Sequence, residues 1–263
     1  MKPLVSVITV CYNAEQTIRD TFESVLRQTY SHIEYIVIDG NSTDETIRII
    51  ESYSEKFNNA GIEYRWTSEP DRGISDAFNK GLRLAKGDLI GLLNADDWYE
   101  DNTLDILVKS HQSVNKDFYY GNVNLCDKTK NTTRVLMGSP YFEQRVKYVM
   151  PINHPTMFAT KRSVERTGLY SLDYKFAMDY DYVVRMNNLK LSGEYISNLF
   201  VNMRSGGAHY NNYLKTLFEV YEISVRNGGG RIKGLLLLVY TYINQRVIKI
   251  PIASYFRKLK LLK

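Results

Sequence analysis

The chain alternates between short apolar runs and segments whose apolar residues recur at helical spacing. Leu4–Val10 is a run of strand length, and Ala14–Arg27 follows with Ile18, Phe22, Val25 and Leu26 at helical intervals. Ile33–Ile38 predicts a second strand. Asn41, Ser42, Thr43 and Asp44, all residues that cap helices, precede a helix carrying Ile47, Ile49, Ile50 and Tyr53. Ile62–Thr67 predicts a third strand, and a polar loop spans Glu69 to Ser75. The next helix holds Ala77, Phe78 and Leu82, with Gly87 as its stop. Asp88–Leu93 predicts a fourth strand and Asn102–Val114 a fourth helix. Strands alternating with helices imply a parallel sheet with right-handed crossovers, here a nucleotide-binding α/β region over residues 1–115.

The second half is less regular. Phe118–Leu125 predicts a strand and Asn131–Met137 its hairpin partner. Met150–Thr160, with Pro151 and Pro155, reads as loop then strand. Asp179–Leu189 predicts a helix whose acidic first turn suits its positive end. No internal repeat or linker interrupts the chain, and Gly228-Gly229-Gly230 is the one clear breaker.

Composition and charge change this picture mainly at the C-terminus. With 263 residues, 44% hydrophobic and 24% charged, the chain suits one large globular domain, or one domain with a dependent C-terminal part. Its 21 tyrosines offer flat apolar faces with polar tips, suited to sugars and bases, although ordinary packing accounts for most of them. Cys11 and Cys126 do not make a disulfide framework, which fits a reducing compartment. Leu4–Val10 is short for a secretory leader and leads straight into the fold. The formal charge of +5 hides a division: residues 226–263 hold nine Lys and Arg, and no Asp or Glu follows Glu222. Residues 1–225 carry 25 basic and 29 acidic side chains, so nucleic-acid binding through the whole molecule is not expected. Leu235–Tyr240 is apolar but broken soon afterwards, and is too short for a bilayer span of about 20 residues. Residues 228–263 read instead as a basic amphipathic helical tail suited to an anionic membrane surface; packing on its own domain is the alternative.

The candidate chemistry lies where two apolar runs stop. IEYIVIDGNSTDET puts Asp39 at one strand end, and GDLIGLLNADDWYEDN puts Asn94, Ala95, Asp96 and Asp97 at another. Open α/β sheets bind ligands outside the carboxyl ends of their strands. Two carboxylate sites there suit a nucleotide, one receiving ribose and base and the other holding a metal for the diphosphate.

VSVITVCYNAEQTIRDTFESVLRQTY, EYIVIDGNSTDET, EPDRGISDAFNKGLRLAKGDLIGLLNADDWY and AMDYDYVVRM stand in the order found in family 2 inverting glycosyltransferases. The chain resembles that family over residues 4–205, and EPDRGISDAFNKG looks most like bacterial members that build O-antigen, capsule or exopolysaccharide. The resemblance implies an α/β, Rossmann-like A-type glycosyltransferase fold with a mainly parallel central sheet, in which residues 116–227 form the acceptor-binding part of the same catalytic domain. It also implies transfer of a hexosyl or N-acetylhexosaminyl group from a nucleoside diphosphate sugar, commonly UDP-linked, to a glycan or lipid-linked acceptor. Mn²⁺ or Mg²⁺ is the implied cofactor. The implied place is the cytoplasm, peripheral on the inner face of the membrane.

By the same resemblance Tyr12 falls on the tyrosine that lies against the nucleobase, with Val10 supplying backbone contacts, and Asp39 on the carboxylate contacting base or ribose. Asp76 and Asn79 fall on the helix facing the nucleotide, where Arg72 meets a phosphate. The metal motif is usually Asp-X-Asp. Here Asn94 holds its first place, so Asp96 alone matches the metal ligand and Asn94 is left to ribose or metal-bound water. His209 completes the metal site as in some members; a surface histidine is the alternative. Asp179 falls on the catalytic base, the second residue of an acidic pair whose first is Met178 here, while Asp181 is structural. His154 lines the acceptor pocket or makes a structural hydrogen bond. Two other classes compete. A sugar-1-phosphate nucleotidyltransferase needs a glycine-rich phosphate loop near the first strand, which CYNAEQ lacks. A non-catalytic membrane-associated glycan-binding or scaffold protein leaves Asp39, Asp96 and Asp179 without a task.

Overall fold

A computed structural model of the chain describes residues 2–206 and 212–243. The apolar runs assemble into one nine-stranded mixed sheet, parallel through most of its paired residues. β1 (Val5–Cys11), β2 (Ile33–Asp39), β3 (Glu63–Ser68) and β4 (Leu89–Asn94) lie parallel in the order β3-β2-β1-β4. β1 and β2 are buried along their whole length, which is why they read as continuous apolar runs rather than alternating ones. The sheet continues through β5 (Trp98–Tyr99), β6 (Phe118–Cys126), β8 (Phe158–Thr160) and β9 (Gly193–Arg204), in the spatial order β8-β6-β9-β5. β7 (Thr132–Leu136) is hairpinned on β6. β8 runs antiparallel to both β4 and β6, whereas β9 runs parallel to β6. Residues before and after position 115 therefore share one sheet.

Helices cover both faces. α1 (Ile18–Leu26), α2 (Thr46–Ser52), α3 (Ser54–Asn59) and α5 (Thr103–Ser113) bury Phe22, Ile50, Phe57 and Leu107 against Val5 and Val7 of β1. α4 (Ile74–Leu84), α6 (Phe142–Arg145), α8 (Met178–Asn188) and α9 (Tyr213–Arg226) bury Phe78, Phe142, Val183 and Ile223 in the core that holds Ile8 and Val10. α7 (Lys161–Thr167) follows β8, and α10 (Arg231–Ile243) packs on α9.

Several elements differ from the sequence pattern. Asn13 takes a left-handed φ of 49° and Ala14 to Thr17 close a turn, so α1 begins only at Ile18. The helix expected after β2 is two pieces that divide at Tyr53, whose buried ring packs edge-on against Phe22. Gly87 does not end α4. The helix stops at Leu84 where Ala85 turns extended, and Gly87 instead allows a close approach: a Cβ there would lie 2.6 Å from the Ser6 nitrogen. Asp44 caps α2 from just outside it, its carboxylate accepting from the Thr46 amide at 3.0 Å, whereas Ser42 ties loops together, its Oγ accepting from the Asn13 amide at 2.8 Å. Among the described residues, no helix is long and apolar enough to cross a membrane. His209 and residues 244–263, hence one expected metal ligand and most of the basic tail, lie outside the described residues.

Candidate active site

Register puts the two carboxylate turns on one edge. Val10 of β1 pairs with Ile38 of β2 on one side and with Asn94 of β4 on the other, and Cys11 pairs with Asp39. The turns after β2 and β4 are thus one strand apart, about 10 Å over two strand spacings. Pairing of Leu89 with Thr160 and of Gly91 with Phe158 directs the preceding 3₁₀ turn, His154–Thr156, toward the end of β4 that holds Asn94.

Tyr12, Gly40, Asn41, Thr43, Pro70 and Asp71 line a cleft of about 400 Å³ at this edge. Tyr12 is 63% exposed there. Gly40 is required because the Asp71 carboxylate lies over it, only 2.6 Å from where a Cβ would stand. Asp39 is fully buried in the floor. It accepts from the Ser42 amide at 2.9 Å, from the Ser68 hydroxyl at 2.6 Å and from the Ser42 hydroxyl. These donors fix the loop that carries Gly40 and Asn41. Burial first, then the Asp39 charge, push the neighbouring Cys11 thiol far up, so it stays protonated. Asp71, which the sequence pattern does not single out, supplies the carboxylate on the cleft wall.

Val10 lies buried in the ladder beside both turns. Arg72 stands just before α4 with its side chain exposed, and its backbone amide donates to Asp76 at 3.1 Å. Burial opposes the ionised form of Asp76, but the Arg72 amide and guanidinium outweigh it and hold the carboxyl below its ordinary value. Asn79 does not join the cleft. Its buried amide donates to the Tyr170 carbonyl at 2.9 Å and accepts from the Tyr170 nitrogen at 2.7 Å, which ties it to the other half of the chain.

In the second turn the two aspartates have different tasks. Asp97 is buried and accepts from the Arg204 amide at 3.1 Å and the Asn94 side chain at 3.2 Å, while its carbonyl accepts from Thr21 Oγ at 2.7 Å. It secures the turn. Asp96 stays partly exposed, and burial pushes its carboxyl up despite the opposing charge of Arg204. Arg204 itself ends β9, lies 5.1 Å from the Trp98 ring centre and pairs with Asp20 at 2.8 Å. Among the described residues no three His, Cys, Asp or Glu side chains cluster to hold a metal alone. One under-compensated carboxylate beside a neutral amide still fits a hard divalent ion whose shell is completed by phosphate oxygens and water.

The third group comes from the second half. Asp179 opens α8 and is partly buried, its Oδ1 accepting from the Tyr180 amide at 2.7 Å. His154 is close enough for the Asp179 charge to oppose the burial that pulls its imidazole below the ordinary value. His154 Nε2 lies 2.9 Å from the Tyr170 hydroxyl, and Tyr170 stacks on Tyr182 at 4.2 Å. Asn79, Tyr170 and His154 are therefore joined by hydrogen bonds, with Asp179 in electrostatic reach of His154. Asp181 is structural, paired with Arg185 at 2.9 Å. Glu219 of α9 accepts from the amides of Lys175, Phe176 and Ala177 at 2.8–3.1 Å, which secures the approach to Asp179.

The family described as glycosyl transferase family 2 matches residues 6–169, more than half of the chain, and the chain belongs to that family. It is 29% identical over 188 residues (71% of this chain, 70% of the other) to the UDP-Glc:alpha-D-GlcNAc-diphosphoundecaprenol beta-1,3-glucosyltransferase WfgD of Escherichia coli. Its fold is similar to that of S. aureus TarS 1-349 in complex with UDP-GlcNAc, with TM-score 0.67, 16% identity, and coverage of 96% of this chain and 77% of that one. It covers 45% of the longer TarS chain. The mannosyltransferase PcManGT from Pyrobaculum calidifontis, in complex with GDP-Man and Mn2+, gives TM-score 0.65 at 19% identity, covering 94% of this chain and 71% of that one. The protein is thus a glycosyltransferase with the A-type fold, and the nucleotidyltransferase and non-catalytic readings fall away.

Proposed function

We propose that this glycosyltransferase moves one sugar from a UDP-linked donor to a lipid-linked glycan, with inversion at the anomeric carbon, in bacterial surface polysaccharide synthesis. The observation that carries the reading is the pair of carboxylate turns one strand apart on a single sheet edge. Residues 1–115 serve the donor and residues 116–227 the acceptor. Tyr12 lies against the base, Val10 offers backbone contacts, and Asp39 and Asp71 shape the base and ribose site. Arg72, steadied by Asp76, meets a phosphate.

Asp96 would hold Mn²⁺ or Mg²⁺, with Asn94 beside it and His209 as a further ligand. The bound ion would supply charge stabilisation to the diphosphate leaving group. Asp179 takes the proton from the acceptor hydroxyl. The hydroxyl oxygen then bonds to the anomeric carbon from the face opposite the departing diphosphate oxygen. Two names support the substrates: the E. coli relative is named for a UDP-Glc donor and a diphosphoundecaprenol-linked acceptor, and the TarS complex contains UDP-GlcNAc. A lipid-linked acceptor places the enzyme peripherally on the inner face of the cytoplasmic membrane.

The test is a panel of UDP-, GDP- and dTDP-sugars with a diphosphate-lipid-linked sugar acceptor, read by product NMR. Transfer from a UDP-sugar with an inverted anomeric centre is expected. A retained centre, or transfer only from the other carriers, contradicts the proposal.

A further inference from the structure

We infer that the outer face of α10 docks the enzyme onto an anionic lipid bilayer. Ile232, Leu235, Leu236, Val239 and Ile243 are 79%, 51%, 65%, 44% and 40% exposed. At 3.6 residues per turn they share an arc of about 100°. Gly234 lies on the opposite side, buried against Tyr221 of α9. The helix therefore turns its most apolar stripe outward, the reverse of a helix packed for its own core. Phe218 of α9 is 59% exposed as well. Scattered exposed apolar residues are ordinary, but five on one stripe mark an interaction surface.

Charge decides what covers the stripe. Arg231 and Lys233 lie within the helix, six more Lys and Arg follow in residues 244–263, and no Asp or Glu follows Glu222. A second copy would bring another face carrying Arg231 and Lys233. An anionic lipid surface has the complementary sign, and a stripe of aliphatic side chains among cations is what an interfacial helix requires. Its thirteen described residues extend about 20 Å, long enough to lie in the interface.

The surface is tied to the site. α9 is anchored by the buried Ile223, by the Ser224 hydroxyl donating to the Lys147 carbonyl at 2.7 Å, and by Glu219 holding the approach to Asp179. A bilayer under α10 thus lies at a fixed position relative to the acceptor half. The inference rests on the lipid-linked-acceptor reading for its purpose and on the exposed stripe for its evidence.

Flotation of the full-length protein tests it, using pure phosphatidylcholine vesicles and equimolar phosphatidylcholine–phosphatidylglycerol vesicles. The protein should float with the anionic vesicles at low salt and less at high salt. Leu235→Gln combined with Leu236→Gln should cut the bound fraction about tenfold, because two aliphatic anchors are lost. The double variant should keep its melting temperature and its release of nucleoside diphosphate from the donor. Wild-type protein that stays down with anionic vesicles, a double variant that floats equally well, or a double variant that only converts a dimer to a monomer overturns the docking surface. Absence of donor cleavage in the wild type counts instead against the proposed reaction.

Discussion

Asp179 and His154, 25 residues apart in sequence, influence each other through charge. With Asp179→Asn, initial transfer rates at saturating donor should fall roughly 10²–10⁴-fold, the span of general base catalysis. An unchanged rate removes Asp179 as the base. Burial, opposed by the Asp179 charge, holds the His154 imidazole below its ordinary 6.5. The unfolded chain then binds that proton more readily than the folded one, so stability is lost as pH falls through this region and regained above it. Denaturant titrations at about pH 5.5 and about pH 7.5 should show a smaller drop on acidification in His154→Gln than in the wild type. An equal drop in both would assign the effect to other groups. Asp39 and Asp96 stand out in the sequence because each follows an apolar run, and Asp179 because it matches the acidic pair of the family. Asp71 was hidden in a polar loop. Asn79, assigned by the resemblance to the nucleotide face, bonds instead to Tyr170, a partner 91 residues away that no local pattern reveals.

The elements separate along similar lines. β1, β2 and β4 were readable because they are buried almost throughout, and β3, the half-exposed edge strand, because short crossovers space all four regularly. β9 escaped because its twelve residues include Glu194, Ser197, Asn198 and Asn202 and are only partly buried. α7 holds one aliphatic residue, Val164, and is too short for a period. α9 contacts α8 on one side and α10 on another, so its apolar residues do not form a single stripe. Yet α9 carries Glu219, whose carboxylate receives three backbone amides. Glu219→Gln should lower stability by about 1–3 kcal/mol in denaturant titration, the scale of hydrogen bonds to a charged group. Transfer should fall further than donor hydrolysis, since the loosened segment leads to Asp179. Equal loss of both would assign Glu219 a purely structural role.

In the whole molecule, one sheet with a core on each face holds both the half proposed for the donor and the half proposed for the acceptor. The first half announced this arrangement through its alternating pattern. The second joins the sheet through strands that pair far from their sequence neighbours, β8 with β4 and β9 with β6, and that pairing leaves no local trace. The central claim is a metal-dependent donor site at Asp96 that is separable from the base at Asp179. Calorimetric titration of a UDP-sugar with Mn²⁺ into wild type, Asp96→Asn and Asp179→Asn tests it most directly. Asp96→Asn should bind at least tenfold more weakly, about 1.4 kcal/mol, and lose its response to chelation, while Asp179→Asn binds like the wild type. Wild-type affinity in Asp96→Asn, or equal loss in both variants, would contradict the account.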